Sequence, residues 1–385
     1  KCTFFCRFNE KSITLHLEFI FPPFCMKKII FSLFVLFSAA VMVIGQQLPN
    51  ASFEDWSAPV FDKCIQPAVW HPSNVVQFGL KFNFAHQVAG HSGRYAIMAC
   101  DQKVGAMGIT EVSPSYITLG QPWVYVPSIM KIGQATAGTY GGVAWSYRPD
   151  TMEVWIKRTG EYVTEEDFHL LYYAWSGTAK SSHYKNKKGD CTTVEFVDEE
   201  SDIRRSTDGN ECGTDRSANQ IAEGWVWQKK AYPTWTCMKV PIYYCSDNLP
   251  EKMNIIFSAS NYPNFRSNKH LYEGSSLYVD DVRLIYSSKI QYLYVNGVLW
   301  KAFNPNETAV QTCLLSKAEK PEIEAVRGAG ELTNSKGESS SFVGRRLNGK
   351  EMLFDYKGLN AVSTITVKAE DGSSASVYKI KFVLK

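Results

Sequence analysis

Apolar and polar residues alternate over short stretches along most of the chain, and Gly, Pro, Asn, Asp and Ser separate these stretches. Clear examples are TMEVWIKRT (151–159), DFHLLYYAW (167–175), MKVPIYY (238–244) and MNIIFSAS (253–260). Alternation with a period of two is typical of half-buried β-strands. Many short strands with turn signals between them predict a sandwich, jelly roll or barrel. The pattern therefore predicts an all-β protein.

The strand pattern divides into two blocks near residue 287. The segment SSK (287–289) closes the first block, and IQYLYVNGVLW (290–300) opens the second. The second block has the size of an immunoglobulin-like sandwich, and it ends in two alternating strands around an EDGSS turn. We predict a jelly-roll β-sandwich over 46–287, followed by a smaller immunoglobulin-like β-sandwich over 288–385.

The stretch 177–224 differs from its surroundings because it is polar, charged and poor in apolar residues. A connection of this length is expected to be functional, cross-linked or mobile. A disulfide bond between Cys191 and Cys212 would cross-link this stretch. The simpler alternative is a mobile surface loop. The basic run KNKK (185–188) within it is interpreted as part of a solvated loop.

The segment MKKIIFSLFVLFSAAVMVIGQQ (26–47) has the layout of an export signal. A lysine pair precedes an apolar stretch that ends at Gly45 and Gln46, as in secretory signal peptides. A retained anchor is the alternative, although the stretch is short for a bilayer, which needs about 20 apolar residues. No cysteine follows before Cys64, which disfavours a lipoprotein. We interpret 1–25 as a mistranslated upstream segment and 26–45 as the signal peptide.

The composition narrows the class of partner. Of the 385 residues, 45% are hydrophobic and 14% aromatic, and the formal net charge is +3. The hydrophobic fraction excludes a largely disordered chain, and the small charge disfavours nucleic acid as the partner. After signal cleavage we expect no membrane span. The protein is then periplasmic, on the cell surface or secreted, and envelope proteins are candidate partners.

Seven cysteines remain beyond the upstream segment, and export permits disulfides. Cys237 with Cys245, and Cys191 with Cys212, are the nearest pairs in sequence, but spacing alone does not fix connectivity. The sequence contains no CxxC, GxSxG, HExxH, Walker or GxGxxG pattern in a suitable context. It therefore offers no support for zinc binding, for the nucleophile elbow of serine hydrolases or for nucleotide binding. No organic cofactor is expected.

Aromatic residues supply candidates for sugar binding, which needs flat rings flanked by polar groups. The segments QPWVYV (121–126) and EGWVWQKKAYPTWT (223–236) carry them, and Trp225 and Trp227 would share one face of a strand. Most tryptophans are expected in the core. The candidates for glycan binding are Trp123, Tyr125, Trp225, Trp227 and Trp235.

A pair of adjacent acids, Asp280 and Asp281, interrupts the strand-like segment EGSSLYVDDVRLIY (273–286). Alternation would place them on opposite faces, so that one points inward, where an unpaired carboxylate is costly. Asn50 and Glu54, from the opening LPNASFEDW (48–56), could converge with them on a structural calcium ion. The alternative is an aspartate that caps backbone amides without metal.

Catalysis is a second possibility. A glycosidase needs two carboxylates about 5–10 Å apart; Glu153, Glu165, Glu166 and Asp167 are available, but the sequence does not place two of them across a cleft. A polysaccharide lyase could use His169 with Tyr172 or Tyr173, although an ordinary strand histidine is the simpler interpretation. We therefore assign no catalytic residue.

Three segments carry a family resemblance: NASFEDW (50–56), GGVAWSYRPDTMEVWIKRTG (141–160) and the long segment 255–286 that ends in LYVDDVRLIY. Together they resemble the "putative carbohydrate metabolism" domain family of Bacteroidetes over about 48–286. The resemblance implies a jelly roll similar to carbohydrate-binding modules, and its opening and closing motifs suggest structural calcium. The 177–224 insertion departs from the family.

The last block, 288–385, resembles the cadherin-like sandwich of bacterial surface proteins. This resemblance implies that the block is a spacer module.

Together, these features predict an exported, non-catalytic protein of the bacterial cell envelope that binds a polysaccharide or oligosaccharide. A glycan-active enzyme on a jelly roll, either a glycoside hydrolase or a polysaccharide lyase, is the first alternative. A structural or adhesion surface protein is the second.

Overall fold

The computed structural model describes residues 47–57, 64–126, 128–134, 136–176, 182–185, 195–198, 205–206, 219–260, 271–333 and 339–385. The predicted segments 1–25 and 26–45, Cys191, Cys212 and much of the 177–224 stretch lie outside these residues. Within them the regular structure consists of β-strands and one short 3₁₀ helix, Ile129–Gln134. The prediction of an all-β sandwich protein is confirmed.

Among the described residues, the first part of the chain contributes twenty-one strands, as the alternating stretches predict. In chain order they are β1 His71–Pro72, β2 Val75–Gln77, β3 Leu80–Phe82, β4 Ala85–Ala89, β5 Tyr95–Cys100, β6 Gln102–Ala106, β7 Ile109–Ser113, β8 Tyr116–Thr118, β9 Gln121–Tyr125, β10 Thr136–Tyr140, β11 Val143–Ala144, β12 Thr151–Thr159, β13 Phe168–Ser176, β14 Ser182–Lys185, β15 Glu195–Asp198, β16 Arg205–Ser206, β17 Asn219–Gln228, β18 Tyr232–Pro241, β19 Tyr243–Tyr244, β20 Lys252–Ser258 and β21 Ser276–Ile285.

Two large antiparallel sheets form the first sandwich. Sheet A has the order β1-β8-β20-β13-β17-β19, with β11 also paired to β20, and sheet B has the order β18-β12-β21-β5-β4. Smaller sheets join β9 with β10 and β16, β2 with β3, β6 with β7, and β14 with β15. Neighbours in both large sheets come from distant parts of the sequence, so most pairings are non-local.

The core lies between sheets A and B because each presents one apolar face to the other. In β12, Met152, Val154 and Ile156 are buried and alternate with half-buried residues. They share one buried cluster with Leu170 and Tyr172 of β13. Each fully buried aliphatic side chain contributes about 1.5–3 kcal/mol relative to exposure, so this interface is the main source of stability in the first sandwich.

Strand β13 is unusual because both of its faces are buried. The side chains that point away from the core form a second, smaller apolar cluster, against which Trp225 packs. Its members are Tyr116, Leu171, Tyr173, Trp175 and Ile256.

The second sandwich contains two four-stranded sheets around a separate core. Their orders are β23-β22-β25-β26 and β24-β29-β28-β27, and β24 pairs with β29 in parallel. That this sandwich is immunoglobulin-like stays a prediction. The strands are β22 Tyr292–Val295, β23 Val298–Leu299, β24 Val310–Leu315, β25 Ile323–Thr333, β26 Ser339–Arg346, β27 Met352–Asp355, β28 Val362–Lys368 and β29 Ala375–Leu384.

The two sandwiches belong to one compact unit, and β19 of the first lies against β25 and β26 of the second. Gly328 and Gly330 of β25 allow this approach, since an added Cβ would overlap the rings of Tyr244 and Tyr243 respectively. The division into independent domains at 287 stays a prediction. Among the residues described, no helix is long and apolar enough to cross a bilayer.

Candidate functional site

The candidate site is the outer face of sheet A, which points away from the core of the first sandwich. Register places residues from four adjacent strands on this face. They are Tyr116 and Thr118 of β8, Asn254, Ile256 and Ser258 of β20, His169, Leu171, Tyr173 and Trp175 of β13, and Glu223, Trp225 and Trp227 of β17.

Buried polar groups on this face are joined by hydrogen bonds. The Thr118 hydroxyl donates to Asn254 Oδ1 at 2.7 Å, and the Gly120 amide donates to the same oxygen at 2.8 Å. Asn254 Nδ2 donates to the Tyr173 hydroxyl at 3.1 Å. Buried polar groups are costly unless they are bonded, so this network holds its members in fixed positions. Sequence analysis did not predict this network, because its members come from the separate strands β8, β13 and β20.

Aromatic rings flank the network. Trp225 and Trp227 lie edge to face, with ring centroids 4.8 Å apart, and Trp227 also lies 4.8 Å from the His169 ring. Both tryptophans are half-buried. Tyr173 and Trp175 stack at 5.5 Å. Alternation in β17 thus brings Trp225 and Trp227 to one face, next to amide and hydroxyl groups.

Two ionisable side chains belong to the same face. Glu223 lies opposite Tyr173 and is buried, and His169 lies opposite Trp227 and is buried as well. The acids considered from the sequence lie elsewhere: Glu153 projects from sheet B and binds Lys239 at 2.9 Å, while Glu166 is buried near Arg158. The structure does not bring these two acids together with Glu223.

Trp123 and Tyr125 belong to β9, which follows β8 directly. They pair with Gly138 and Thr136 of β10. Both residues therefore belong to the small sheet of β9, β10 and β16 and not to sheet A.

Trp235 lies on the opposite side of the sandwich from Trp225 and Trp227. It belongs to β18 of sheet B, because the chain crosses from sheet A to sheet B between Gln228 and Tyr232. Its neighbours there are His91, Lys157 and Tyr278. Proximity in sequence therefore does not make the three tryptophans one surface.

Three of the four predicted cation residues, Glu54, Asp280 and Asp281, bind groups of the loop 90–95. Asp280 Oδ2 accepts hydrogen bonds from the His91 and Ser92 amides at 2.7 and 3.3 Å. Asp281 contacts the His91 ring at 2.8 Å and the Ser92 hydroxyl at 2.9 Å. The loop requires glycine at Gly93, where φ is +63° and an added Cβ would overlap Glu54 Oε1.

Glu54 and Asn50 also bind the backbone. Glu54 Oε1 accepts from the Arg94 and Tyr95 amides at 2.8 and 3.2 Å. The Asn50 side chain donates to the Asp55 and Ala68 carbonyls. In the described part of the chain, no group of three or more His, Cys, Asp or Glu side chains is arranged to hold a metal ion. Calcium stays a prediction.

The expectation that Asp280 and Asp281 point to opposite faces is wrong. The register with β12 shifts between Glu153 and Trp155, and Asp281 has a φ of +47°, so a bulge interrupts the alternation. Both aspartates therefore contact the loop 90–95 on the outer side of sheet B. Asp280 is fully buried there, and its burial raises its pKa to about 6 although three amides donate to it.

Cys237 and Cys245, one of the two candidate disulfide pairs, do not form a disulfide bond with each other. Cys237 lies in β18 of sheet B, whereas the Cys245 thiol follows β19 of sheet A and contacts the Gln220 carbonyl at 3.2 Å. The eight-residue spacing suggested proximity, but the chain changes sheets between the two residues. The other candidate pair, Cys191 with Cys212, lies outside the described residues.

A second buried polar cluster lies at one end of the first sandwich, and sequence reasoning missed it as a unit. Asp101 Oδ1 accepts from the Ser115 amide and hydroxyl, each at 2.7 Å, and Glu166 Oε1 accepts from the Ser275 hydroxyl. Arg158 donates to backbone carbonyls, including that of Glu166 at 2.8 Å. Burial raises the pKa of Asp101 to about 7 and that of Glu166 to about 8.

No family model matches the sequence, and no curated protein matches it either. Several solved structures match the chain at low similarity. One is described as a "putative glycoside hydrolase" from Bacteroides thetaiotaomicron, with 16% identity, a TM-score of 0.39, and coverage of 62% of this chain and 71% of that one. A second, a "putative glycoside hydrolase" from Bacteroides vulgatus, has 12% identity, a TM-score of 0.38, and coverage of 64% and 99%.

A third structure is the family 11 carbohydrate-binding module from Clostridium thermocellum in complex with a β-1,3-1,4-mixed-linked tetrasaccharide. It has 8% identity and a TM-score of 0.24, and the match covers 60% of this chain and 94% of that one. No residue role is transferred at these scores. The chain is an all-β sandwich protein that resembles, at this low level, structures described as hydrolases and carbohydrate-binding modules.

Proposed function

We propose that this protein is an exported, non-catalytic glycan-binding protein of the bacterial cell envelope, and that the outer face of sheet A holds the glycan. One observation supports this most directly: an amide, hydroxyls, an imidazole and a carboxylate share that face with tryptophan rings. Relation to the "putative carbohydrate metabolism" family of Bacteroidetes is part of the same proposal.

The combination of groups on this face matches what sugars require. The C–H faces of a pyranose pack on flat rings, and its hydroxyls need donors and acceptors in fixed positions. Trp225 and Trp227 are half-buried and supply the rings, and the fully buried Thr118–Asn254–Tyr173 network holds the neighbouring strands β8, β20 and β13 in place by hydrogen bonds. Groups that are fixed before binding lose less conformational entropy when the ligand arrives.

A glycan array, followed by calorimetry on the best glycan, tests the proposal. Trp225→Ala and Trp227→Ala are each expected to weaken binding at least fivefold, since ring stacking contributes about 1 kcal/mol or more. Tyr292→Ala removes a ring from the second sandwich that is 41% exposed and serves as the matched control. Wild-type protein that binds no glycan, or tryptophan variants that bind as the wild type does, would overturn the proposal.

A glycan-active enzyme is the second candidate, because Glu223 and His169 lie on the same face as the rings. The same glycan, incubated with the protein and analysed for shorter or unsaturated products, separates the two functions. Product formation that Glu223→Gln abolishes would favour the enzyme.

Structural calcium at the loop 90–95 is also retained as a proposal. Asp281 and Glu54 would supply carboxylate oxygens there, although both already bind groups of the loop. Thermal melting with and without a chelator tests it. A lower melting temperature in chelator supports calcium, and an unchanged temperature supports the hydrogen-bonded arrangement alone.

A further inference from the structure

The outer face of sheet B carries an aromatic surface that is separate from the proposed glycan face of sheet A. We call it the sheet B patch. It is formed by the half-buried side chains of β12, β18, β21 and the loop 90–95, namely His91, Trp155, Lys157, Trp235 and Tyr278. Sheets A and B form opposite layers of the first sandwich, so a ligand on one outer face does not reach the other.

The rings of the patch are held in place by their neighbours. His91 stacks on Trp155 with centroids 3.8 Å apart and ring planes 14° from parallel. Trp235 meets His91 edge-on at 5.9 Å and Tyr278 at 6.4 Å. The strands fix Trp155, Trp235 and Tyr278, and hydrogen bonds from the loop to Asp280 fix the His91 backbone. A rigid aromatic platform of this kind limits the entropy lost on binding.

Charge distinguishes this patch from an ordinary aromatic cluster. The Lys157 ammonium group lies 3.9 Å from the centre of the Tyr278 ring and 5.8 Å from that of Trp235. Adjacent ionic groups are paired with each other, Glu153 with Lys239 at 2.9 Å and His91 with Asp281 at 2.8 Å. Among the described residues, no carboxylate lies within ion-pair distance of Lys157. Within the part of the chain that the structure describes, Lys157 is thus a cation among the rings without an anionic partner.

We infer that the sheet B patch is a second glycan-binding site and that its ligand is an acidic sugar, a uronic acid residue in an oligosaccharide. The pyranose ring packs on the half-buried Trp155 and Trp235, and the sugar carboxylate pairs with Lys157. A neutral sugar gains only the ring contact. A cation on an aromatic face is already partly desolvated and oriented, so the ion pair forms with little rearrangement. This inference does not depend on the site on sheet A.

Two oligosaccharides that differ in charge test the inference: α-1,4-linked trigalacturonate and its neutral counterpart, α-1,4-linked galactotriose. Calorimetry on the purified full chain at low salt is expected to show at least tenfold tighter binding of trigalacturonate. Lys157→Gln keeps the rings and is expected to remove that preference without weakening galactotriose binding. Lys239→Gln removes a nearby cation that is already paired with Glu153, and it should leave both affinities unchanged.

Ring variants separate the two sites. Trp235→Ala is expected to weaken both probes at least fivefold, whereas Trp225→Ala, on sheet A, should leave trigalacturonate binding unchanged. Trp235→Phe, which retains a smaller ring, should recover part of the lost affinity and controls for misfolding. No measurable trigalacturonate binding, equal affinity for both probes, or a preference that survives Lys157→Gln would each overturn the inference. Loss of trigalacturonate binding in Trp225→Ala alone would assign that ligand to sheet A instead.

Discussion

Asp101 and Glu166 are buried carboxyl groups close to the buried Arg158. Burial is the largest cause that raises their pKa values, to about 7 and about 8, from about 4 in an unfolded chain. A carboxyl group whose pKa is raised by folding binds its proton more tightly in the folded state. Its contribution to stability is therefore fully present at a pH below its pKa in the unfolded chain. That contribution is lost as the pH rises through the pKa of the folded state.

We therefore predict that the free energy of unfolding falls between pH 5 and pH 9. Asp101→Asn and Glu166→Gln should each reduce the difference in unfolding free energy between pH 5 and pH 9 by roughly 1–3 kcal/mol, since one pKa unit corresponds to about 1.4 kcal/mol. Urea unfolding at pH 5, 7 and 9 measures the effect, with the exposed neighbour Glu165→Gln as the control. A wild-type slope retained in both variants would contradict the prediction.

Single residues also show where sequence patterns lose their predictive value. The segment 273–286 identified Asp280 as a carboxylate that needed an explanation, and it is fully buried. Alternation assigned the wrong direction to the pair, because Asp281 has a positive φ and both aspartates bind the loop 90–95. That loop is almost 190 residues away in sequence. A local pattern contains no information about such a partner.

At the scale of strands, the outer face of sheet A was only partly predictable. Trp225 and Trp227 lie two residues apart in one strand, so alternation places them together. The polar network beside them joins Thr118, Tyr173 and Asn254 from three strands. The order β8-β20-β13-β17 that brings these strands together is set by long-range pairing and by burial on both faces of β13. Neither of these can be derived from the pattern of a single strand.

The Asn254 side chain makes three hydrogen bonds in this network, which leads to a prediction. Asn254→Ala removes the acceptor of the Thr118 hydroxyl and the Gly120 amide, and the donor to Tyr173. Each buried group that is left unsatisfied costs about 1–3 kcal/mol. We expect the variant to lose roughly 2–4 kcal/mol of unfolding free energy in urea. Asn248→Ala, at an exposed site, is the control and should lose little; an equal loss in both would argue against the network.

At the scale of the whole molecule, a buried ionic network joins the two sandwiches. Glu351 of the second sandwich binds Arg345 at 2.7 Å, Arg327 at 3.0 Å and Arg148 of the first sandwich at 3.1 Å. Arg148 also donates its backbone amide to Glu370 at 2.9 Å. The Arg-Pro-Asp motif 148–150 was known from sequence only as part of a family resemblance. The structure places its arginine at this junction.

Glu351 is surrounded by three guanidinium groups, which hold its pKa below its usual range even though burial acts in the opposite direction. A lowered pKa stabilises the folded state above the unfolded value, about 4.3, and this contribution disappears as the pH falls through the folded value. Acid should therefore weaken the junction between the sandwiches before it unfolds either core. Neutralising the same carboxylate at pH 7 should have a similar effect.

We predict that Glu351→Gln unfolds at pH 7 with the two sandwiches partly uncoupled. Removal of one member of a buried ion pair costs about 3–5 kcal/mol, because the partner charges stay buried. Calorimetry is expected to change from one transition in the wild type to two in the variant, with the lower one at reduced temperature. Asp355→Asn, which disrupts a more exposed pair with Lys357 at 2.9 Å, is the control and should retain one transition. A single, unshifted transition in Glu351→Gln would show that apolar contacts of β19 with β25 and β26 join the sandwiches without the network.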